Sequence, residues 1–215
     1  METIDRAPIQ LITLSREYGA GGSELGSLLG QRLGWRVLDR DLAARLAERL
    51  RCANRLVDAM AERGPTLLER VTAAFSVVPA EAPIVPDPSL RLDPDHLVEV
   101  SRAVLHEAVK DLPLVVIGHG ANCLFGGRPD ILRLRVTAPH ALRVRRVADR
   151  TGASLAEAAA DVDRHDQDRR DYLLRYYRCD TNDPGAYDMQ INTGTIPLET
   201  AADLVSVVLA SRKRG

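Results

Sequence analysis

Short apolar segments alternate along the chain with longer segments whose apolar residues recur every three or four positions. Residues 9–14 form an apolar run, and residues 23–33 then carry leucines at helical spacing before Gly34, which is typical of a helix end. The alternation continues to the C-terminus: strands are predicted at 35–39, 114–118, 131–136 and 187–191, and helices at 41–62, from 95, from 139 to about 152, from 154 to about 177, and at 198–212. This order predicts an α/β fold, in which helices cover a parallel sheet.

Three segments carry further local information. "LVVIG" (114–118) is apolar at every position, which is typical of a central strand buried on both faces. "SLAE" (154–157) has the pattern of a capping box, with Ser154 as the helix cap and Glu157 three residues later. Residues 76–94 are rich in proline, which excludes a regular helix or a central strand, so an ordered loop or a surface flap is predicted there.

Composition and charge narrow the class of protein. A chain of 215 residues suits one domain, or one domain with an insertion, and a net charge of −1 argues against a dedicated nucleic-acid binder. No apolar run is long enough for a membrane span, and the first ten residues do not have the pattern of a signal peptide. The cysteines (Cys52, Cys123 and Cys179) are odd in number and widely separated, so they predict neither a disulfide framework nor a zinc site. Cys123 and Cys179 are interpreted as inert thiols, and a cytoplasmic location is expected.

A glycine-rich stretch between the first strand and the first helix is the main candidate for chemistry. Gly19, Gly21 and Gly22 allow backbone N–H groups to turn toward an anion, and the start of the helix adds a favourable dipole. The phosphate-loop pattern G-x-x-x-x-G-K-[ST] is nevertheless broken, because Arg16 replaces its first glycine and Gly22 replaces its lysine. Ser23 stands where the magnesium-binding hydroxyl would be. A plain turn without a ligand is the alternative, although it would need fewer glycines, and Arg16 could supply the missing positive charge.

A second candidate is a segment rich in arginine. Residues 133–178 contain eleven arginines and seven acids, so this segment is locally basic. Arg143, Arg146 and Arg150 share one helical face, and most of these arginines are predicted to lie on a solvated face with ion pairs such as Arg164–Asp168. The remaining candidates in this half of the chain have structural interpretations: packing for Tyr172, Tyr176 and Tyr177, and turn or cap chemistry for Asp188 and Asn192.

Six segments together resemble a known family, the cytidylate kinase-like proteins, a branch of the P-loop nucleoside monophosphate kinases. In chain order they are "ITLSREYGAGGSELG", "GWRVLDRDL", "LVVIGHGANCLF", "APHALRVRRV", "DQDRRDYLLRYY" and "YDMQINTG". The resemblance implies a three-layer P-loop NTPase fold with a five-stranded parallel sheet of order 2-3-1-4-5. It also implies one kinase-like domain with its core at 7–40, 113–151 and 183–215, a helical acceptor-binding insertion at about 41–112 and a lid at about 152–182.

The resemblance also implies roles for particular residues. ATP phosphates would lie along Gly19, Ala20, Gly21, Gly22, Ser23 and Glu24, with Mg²⁺ held by the Ser23 hydroxyl. The acceptor would contact Asp39, Arg45 and His119, where His119-Gly120 replaces the Arg-Asp pair of the family's third-strand turn. Asp166 and Arg169 match the lid motif, and together with Arg16 they are the candidate catalytic residues.

Three functional hypotheses follow. The first is an ATP- and Mg²⁺-dependent phosphotransferase that acts on a nucleoside monophosphate such as CMP or dCMP, or on a similar small hydroxyl or phosphate acceptor. The second is a nucleotide-binding regulatory protein that has the kinase fold and little or no turnover; the missing lysine and His119 favour it, and the arginines favour the first. The third is a protein that uses the glycine turn structurally and binds nothing. The expected partner is a small nucleotide, without nucleic acid or membrane, and the sequence does not indicate an oligomeric state.

Overall fold

The computed structural model describes residues 7–39 and 94–212. The predicted helix at 41–62, Arg45, and all of the proline-rich segment except Pro94 lie outside the described residues. The strands are β1 (Leu11–Arg16), β2 (Arg36–Leu38), β3 (Leu114–Ile117), β4 (Ile131–Thr137) and β5 (Met189–Asn192). The helices are α1 (Gly22–Leu33), α2 (Pro94–Ala108), α3 (Ala121–Leu124), α4 (His140–Thr151), α5 (Leu155–Tyr177) and α6 (Leu198–Ser211), with a 3₁₀ turn at Pro184–Ala186.

All five strands run parallel in the order β2-β3-β1-β4-β5, which confirms the predicted fold class and strand order. β1 lies in the middle, where Leu14 pairs with Ile117 on one side and with Leu134 on the other. Every residue of β3 is buried, as its uniform apolar pattern predicts. Because the strands are parallel, the loops that follow β1, β3, β4 and β5 all leave from the same edge of the sheet.

The core lies between the sheet and its helices. Leu25 and Leu29 of α1 pack with Ala201 and Val205 of α6 against the side chains of the central strands. Helix α1 approaches the sheet so closely that a Cβ on Gly26 would collide with the end of the Ile117 side chain. At the surface, ion pairs from Arg32 to Glu199 and to Asp203 join α1 to α6.

The described residues fall into two units. Residues 7–38 and 111–212 belong to the first unit, which contains the sheet and every described helix except α2. Residue 39 and residues 94–110 belong to the second unit, to which α2 contributes 15 residues. Within the described ranges, no helix combines the length and the apolar character that crossing a bilayer requires.

Cys123 and Cys179 form a disulfide, with their Cα atoms 6.1 Å apart. The interpretation of these two cysteines as inert thiols is therefore wrong. They are separated by 56 positions in the sequence, and only the return of the chain from α5 toward α3 brings them together. Because neither cysteine lies in a recognisable disulfide pattern, their spacing alone did not indicate the pairing.

Candidate active site

The loop between β1 and α1 is shaped by two left-handed glycines, Gly19 (φ 78°) and Gly21 (φ 82°). The first hydrogen bond of α1 runs from the N–H of Leu25 to the carbonyl of Gly21 at 3.0 Å. The amides before Leu25 therefore lie ahead of the helical ladder, where N–H groups have no intrahelical acceptor. Such a run of amides at a helix start is a site suited to an anion.

Arg16 occupies the space where a lysine at position 22 would begin. A Cβ on Gly22 would lie 2.5 Å from the Cβ of Arg16 and 2.9 Å from its Cγ. A Cβ on Gly118 would in turn collide with Nη1 of Arg16, so the guanidinium lies over the first residue after β3. The cation that the sequence lacks at position 22 is therefore present beside the loop, on a side chain from the end of β1.

Helix α5, which falls in the segment expected to form a lid, brings Asp166 and Arg169 to the same loop. Nη1 of Arg169 donates to the carbonyl oxygen of Arg16 at 2.8 Å, and the N–H of Tyr18 donates to Oδ1 of Asp166 at 2.9 Å. Burial and the positive charge of Arg16 lower the pKa of Arg169 to about 10, which leaves the guanidinium protonated at neutral pH. Because two like charges are held close together, a bound anion would lower the energy of this arrangement.

Arg143 of α4 is buried, so the predicted solvated face is wrong for this residue. Its Nη1 donates to Oδ2 of Asp166 at 2.6 Å and to the carbonyl of Tyr18 at 3.0 Å, and its Nε donates to the carbonyl of Ala138 at 3.0 Å. The helical spacing of Arg143, Arg146 and Arg150 correctly indicated a shared face. A periodic pattern does not show which side of a helix is buried, and a face of arginines is normally solvated.

Thr193 is a residue of the site that the sequence did not indicate. It follows β5 directly and is buried. Its hydroxyl donates to the carbonyl of Ala20 at 2.7 Å and accepts from Nη1 of Arg146 at 2.9 Å. Nη2 of Arg146 also donates to the carbonyl of Thr193 at 3.0 Å. Two sequence signals were present: Thr193 lies in the segment "YDMQINTG" of the family resemblance, and it stands at the carboxyl end of a strand, where α/β proteins place ligand contacts.

The turn after β3 has an unusual backbone. Gly118, His119 and Gly120 are all left-handed, with φ values of 79°, 56° and 70°. The Tyr177 hydroxyl donates to the carbonyl of His119 at 3.2 Å, and a Cβ on Gly120 would lie 2.6 Å from Cε2 of Tyr177. Tyr172 also contacts the rings of Tyr176 and Tyr177, which confirms the packing interpretation of these tyrosines.

The remaining predictions have mixed outcomes. Asn192 accepts from the N–H of Gly194 at 2.9 Å, as turn chemistry predicts, whereas Asp188 forms an ion pair with Arg133 at 2.9 Å. Arg164 pairs with Asp161 rather than with the predicted Asp168. The capping box of α5 is present as predicted, with Ser154 and Glu157 bonded reciprocally. Asp39 belongs to the second unit and Arg45 is outside the described residues, so the acceptor contacts assigned to them stay predictions.

The first turn of α1 fits the hydroxyl ligand that a magnesium nucleotide requires. Ser23 is the second residue of the helix and is partly exposed. Because the side chain is partly exposed at the start of the helix, its hydroxyl is accessible to a metal. Mg²⁺ takes most of its ligands from water and phosphate oxygens, and one protein hydroxyl is a usual contribution.

The order of the parallel sheet and the glycine loop between β1 and α1 define a chain of the P-loop NTPase fold class. A family model described as the cytidylate kinase-like family matches residues 11–195. The chain therefore belongs to the cytidylate kinase-like family.

Individual relatives support the same assignment. A cytidylate kinase of Desulfurococcus amylolyticus is 34% identical over 118 residues, which cover 54% of this chain and 63% of that relative. The chain thus spans a little under two thirds of the length of this curated relative. An uncharacterized protein from Eubacterium ventriosum has a TM-score of 0.67 at 15% identity, covering 94% of this chain and 98% of its own. A shikimate kinase from Bacteroides thetaiotaomicron has a TM-score of 0.54 at 16% identity, covering 95% and 99%. These two structures show likeness of fold.

Proposed function

We propose that this protein is an ATP- and Mg²⁺-dependent phosphotransferase whose acceptor is a nucleoside monophosphate, CMP or dCMP in the first instance, or a similar small molecule. Membership of the cytidylate kinase-like family and the relatives named cytidylate kinase support this proposal. Donor and acceptor are small molecules, and neither nucleic acid nor a membrane takes part.

The observation that carries the proposal is the position of Arg16. Its side chain fills the space beside Gly22 and extends over Gly118, so the loop keeps a cation although it has no lysine. A guanidinium is planar and permanently charged, and it binds phosphate oxygens with two parallel hydrogen bonds. A second guanidinium, from Arg169, is bonded to the Arg16 carbonyl. A glycine turn that served only the fold would not require this second positive charge.

Phosphoryl transfer depends mainly on positioning and on neutralising charge. In the proposed reaction, the amides of Gly19 and of Gly21 to Glu24 bind the donor phosphates, whereas the amide of Ala20 donates to the Glu17 carbonyl at 3.2 Å. Arg16 and Arg169 stabilise the charge on the transferring phosphoryl group. Asp166 acts by holding Arg169 and the N–H of Tyr18 in place. Mg²⁺, when bound at Ser23, would neutralise phosphate charge. On the acceptor side, Asp39, Arg45 and His119 are the proposed contacts.

One observation favours the second candidate, a nucleotide-binding protein with little or no turnover. His119 stands where the resemblance implies an arginine for the acceptor phosphate, and its carbonyl is engaged by Tyr177. A histidine lacks the permanent charge and the planar fork of donors with which an arginine binds phosphate. Nucleotide binding without transfer would then be the outcome, and the test must separate binding from turnover.

The test combines calorimetric ATP–Mg²⁺ binding with ADP production over a panel of CMP, dCMP, UMP, AMP and small hydroxyl acceptors. We expect Arg16→Ala and Arg169→Ala to lower turnover about 100-fold or more, with a smaller loss of ATP affinity. Arg170→Ala is the matched control, because Arg170 is an exposed neighbour on α5 that bonds to Gln167.

The possible results separate the hypotheses. ATP binding without ADP production from any acceptor supports the binding protein. Absence of both binding and turnover in the parent chain contradicts both functions and leaves the structural turn. If Arg169→Ala lowers binding and turnover equally, or behaves like Arg170→Ala, the role assigned to the lid arginine is wrong.

A further inference from the structure

We propose that Thr193 is a positioning residue of the phosphate loop: its hydroxyl holds the Ala20–Gly21 peptide so that the Gly21 N–H faces the donor phosphates. This inference rests on the proposed function and names a residue that the family motif of the loop does not contain. In this proposal Thr193 bonds to the loop on the side opposite the nucleotide and does not itself contact the nucleotide.

The direction of the Thr193 hydrogen bond is determined by its neighbours. Arg146 has only donors, so its contact with Oγ1 at 2.9 Å uses a lone pair of the hydroxyl. The single hydroxyl proton must then go to a carbonyl, and the Ala20 oxygen at 2.7 Å is much closer than the Thr137 oxygen at 3.4 Å. The backbone of Thr193 is itself fixed, because its N–H donates to Thr137 at 2.9 Å. The result is a relay from Arg146 through Thr193 to the loop.

Peptide geometry converts this contact into an orientation of the loop. In a trans peptide the C=O and the following N–H point in opposite directions. Holding the Ala20 carbonyl toward Thr193 therefore directs the N–H of Gly21 to the opposite side of the loop. Gly21 has φ 82°, and glycine adopts positive and negative φ about equally readily. The residue itself therefore gives little preference for one orientation of the Ala20–Gly21 peptide. The hydrogen bond from the buried Thr193 hydroxyl favours one orientation of this peptide before the nucleotide arrives.

The same construction recurs along the loop. The carbonyls of Arg16, Tyr18 and Gly19 accept from Arg169, Arg143 and Arg146, at 2.8, 3.0 and 3.5 Å. Thr193 is the neutral member of this set, and its replacement does not change the charge around the phosphates. It therefore allows the orienting effect to be measured separately from the electrostatic attraction that every arginine variant would also remove.

The experiment compares Thr193→Val, which keeps the shape and removes the hydroxyl, with Thr193→Ser, which keeps the hydroxyl. Thr195→Val is the matched control, because the Thr195 hydroxyl lies in the same turn and bonds to the Asn192 carbonyl at 3.2 Å. Binding is measured by calorimetry with ATP–Mg²⁺ and with inorganic triphosphate–Mg²⁺. We expect Thr193→Val to bind both roughly 5- to 20-fold more weakly, and Thr193→Ser and Thr195→Val to bind within about twofold of the parent.

The two probes and a kinetic comparison make the outcomes decisive. Equal losses for ATP and triphosphate, with KM for ATP raised and KM for the acceptor unchanged, support orientation of the phosphate loop. A loss confined to ATP places Thr193 at the base or sugar and overturns the inference, as does binding by Thr193→Val that matches Thr195→Val. If the parent binds neither probe, the proposed function itself fails. Should Thr193→Val not fold, as judged by urea unfolding, Thr193→Ala is compared with Thr193→Ser in its place.

Discussion

At the scale of single residues, Gly22 and Arg16 behave as one unit. A side chain at position 22 and the Arg16 side chain require the same space, so both can be present only if one of them shifts. The lysine-free loop is therefore a paired change in which the cation moves from the first residues of α1 to the last residue of β1. A lysine introduced at position 22 would not restore the standard loop, because it would displace the cation that is already there.

This pairing predicts the effect of the smallest substitution at the site. Gly22→Ala places a Cβ 2.5 Å from the Cβ of Arg16, and we expect it to lower the free energy of unfolding by about 1–3 kcal/mol and to weaken ATP binding. Urea unfolding and calorimetry would measure the two effects. Gly127→Ala is the control, because a Cβ at Gly127 meets no atom within 4 Å. Equal stability of the two variants would contradict the steric argument.

The sequence indicated the charge of Arg16 but could not indicate its position. A broken motif and three nearby glycines were enough to predict that Arg16 substitutes for the lysine, because both features are local. The contacts with Gly22 and Gly118 depend on how β1, α1 and β3 meet. Thr193 lies in the resembling segment "YDMQINTG", but its role was missed for the same reason, since its contact is with Ala20, 173 positions away in the sequence.

At the scale of elements, Asp166 links helix α5 to two other parts of the site. One carboxylate accepts from the N–H of Tyr18 in the loop and from Arg143 of α4, and it lies 3.5 Å from Nη1 of Arg169. The side chain of Arg143 is only 8% exposed. Removal of Asp166 would leave the buried guanidinium with only the more distant carboxylate of Glu17, 3.4 Å from Nε, and loss of the closer partner of a buried charge is costly.

We expect Asp166→Ala to lower the free energy of unfolding by roughly 3 kcal/mol. Asp168→Ala, on the exposed side of the same helix, should change it by less than about 0.5 kcal/mol. Urea unfolding monitored by far-UV circular dichroism gives both values. An Asp166→Ala variant as stable as Asp168→Ala would mean that the carboxylate does not offset the burial of Arg143.

His165, also on α5, makes the stability of this region dependent on pH. The ring is buried, its centroid lies 4.1 Å from that of Tyr18, and Asp161 is 3.4 Å from Nε2. Burial lowers the pKa of His165, opposed by Asp161 and assisted by the charges of Arg164 and Arg169. Because the folded-state pKa is below the unfolded value of about 6.5, the unfolded chain binds more protons as the pH falls through that value.

We expect the Tm to decrease as the pH is lowered from about 6.5 to the folded-state pKa of His165. His165→Phe keeps a ring against Tyr18 and cannot be protonated, so the decrease in Tm over this range should be smaller in the variant. Thermal unfolding between pH 5 and pH 8 measures the two slopes. Identical slopes would show that His165 does not contribute to the pH dependence.

At the scale of the whole molecule, the order of strands and helices followed from the sequence, whereas the cross-links between distant segments did not. Apolar runs and helical periodicity are local, so the alternating elements could be read directly, and the family resemblance supplied the strand order that was then confirmed. The boundaries shifted by one or two residues, and β1 ends at Arg16 rather than at residue 14. The Cys123–Cys179 pair joins α3 to the segment that follows α5, and no local pattern encodes it.

This pairing removes the cysteine argument for a reducing compartment and leads to a final prediction. A cross-link between residues separated by 56 positions restricts the unfolded chain, which stabilises the fold by about 3 kcal/mol. Oxidised protein should therefore show one reactive thiol, Cys52, after denaturation without reductant, and its Tm should fall by roughly 6–12 °C in reductant. Cys123→Ser should have the lower Tm of the reduced protein whether or not reductant is present. Cys52→Ser should retain the response of the parent protein to reductant. Three reactive thiols in unreduced protein, or a Tm that reductant does not change, would contradict the pairing, because both results require free Cys123 and Cys179.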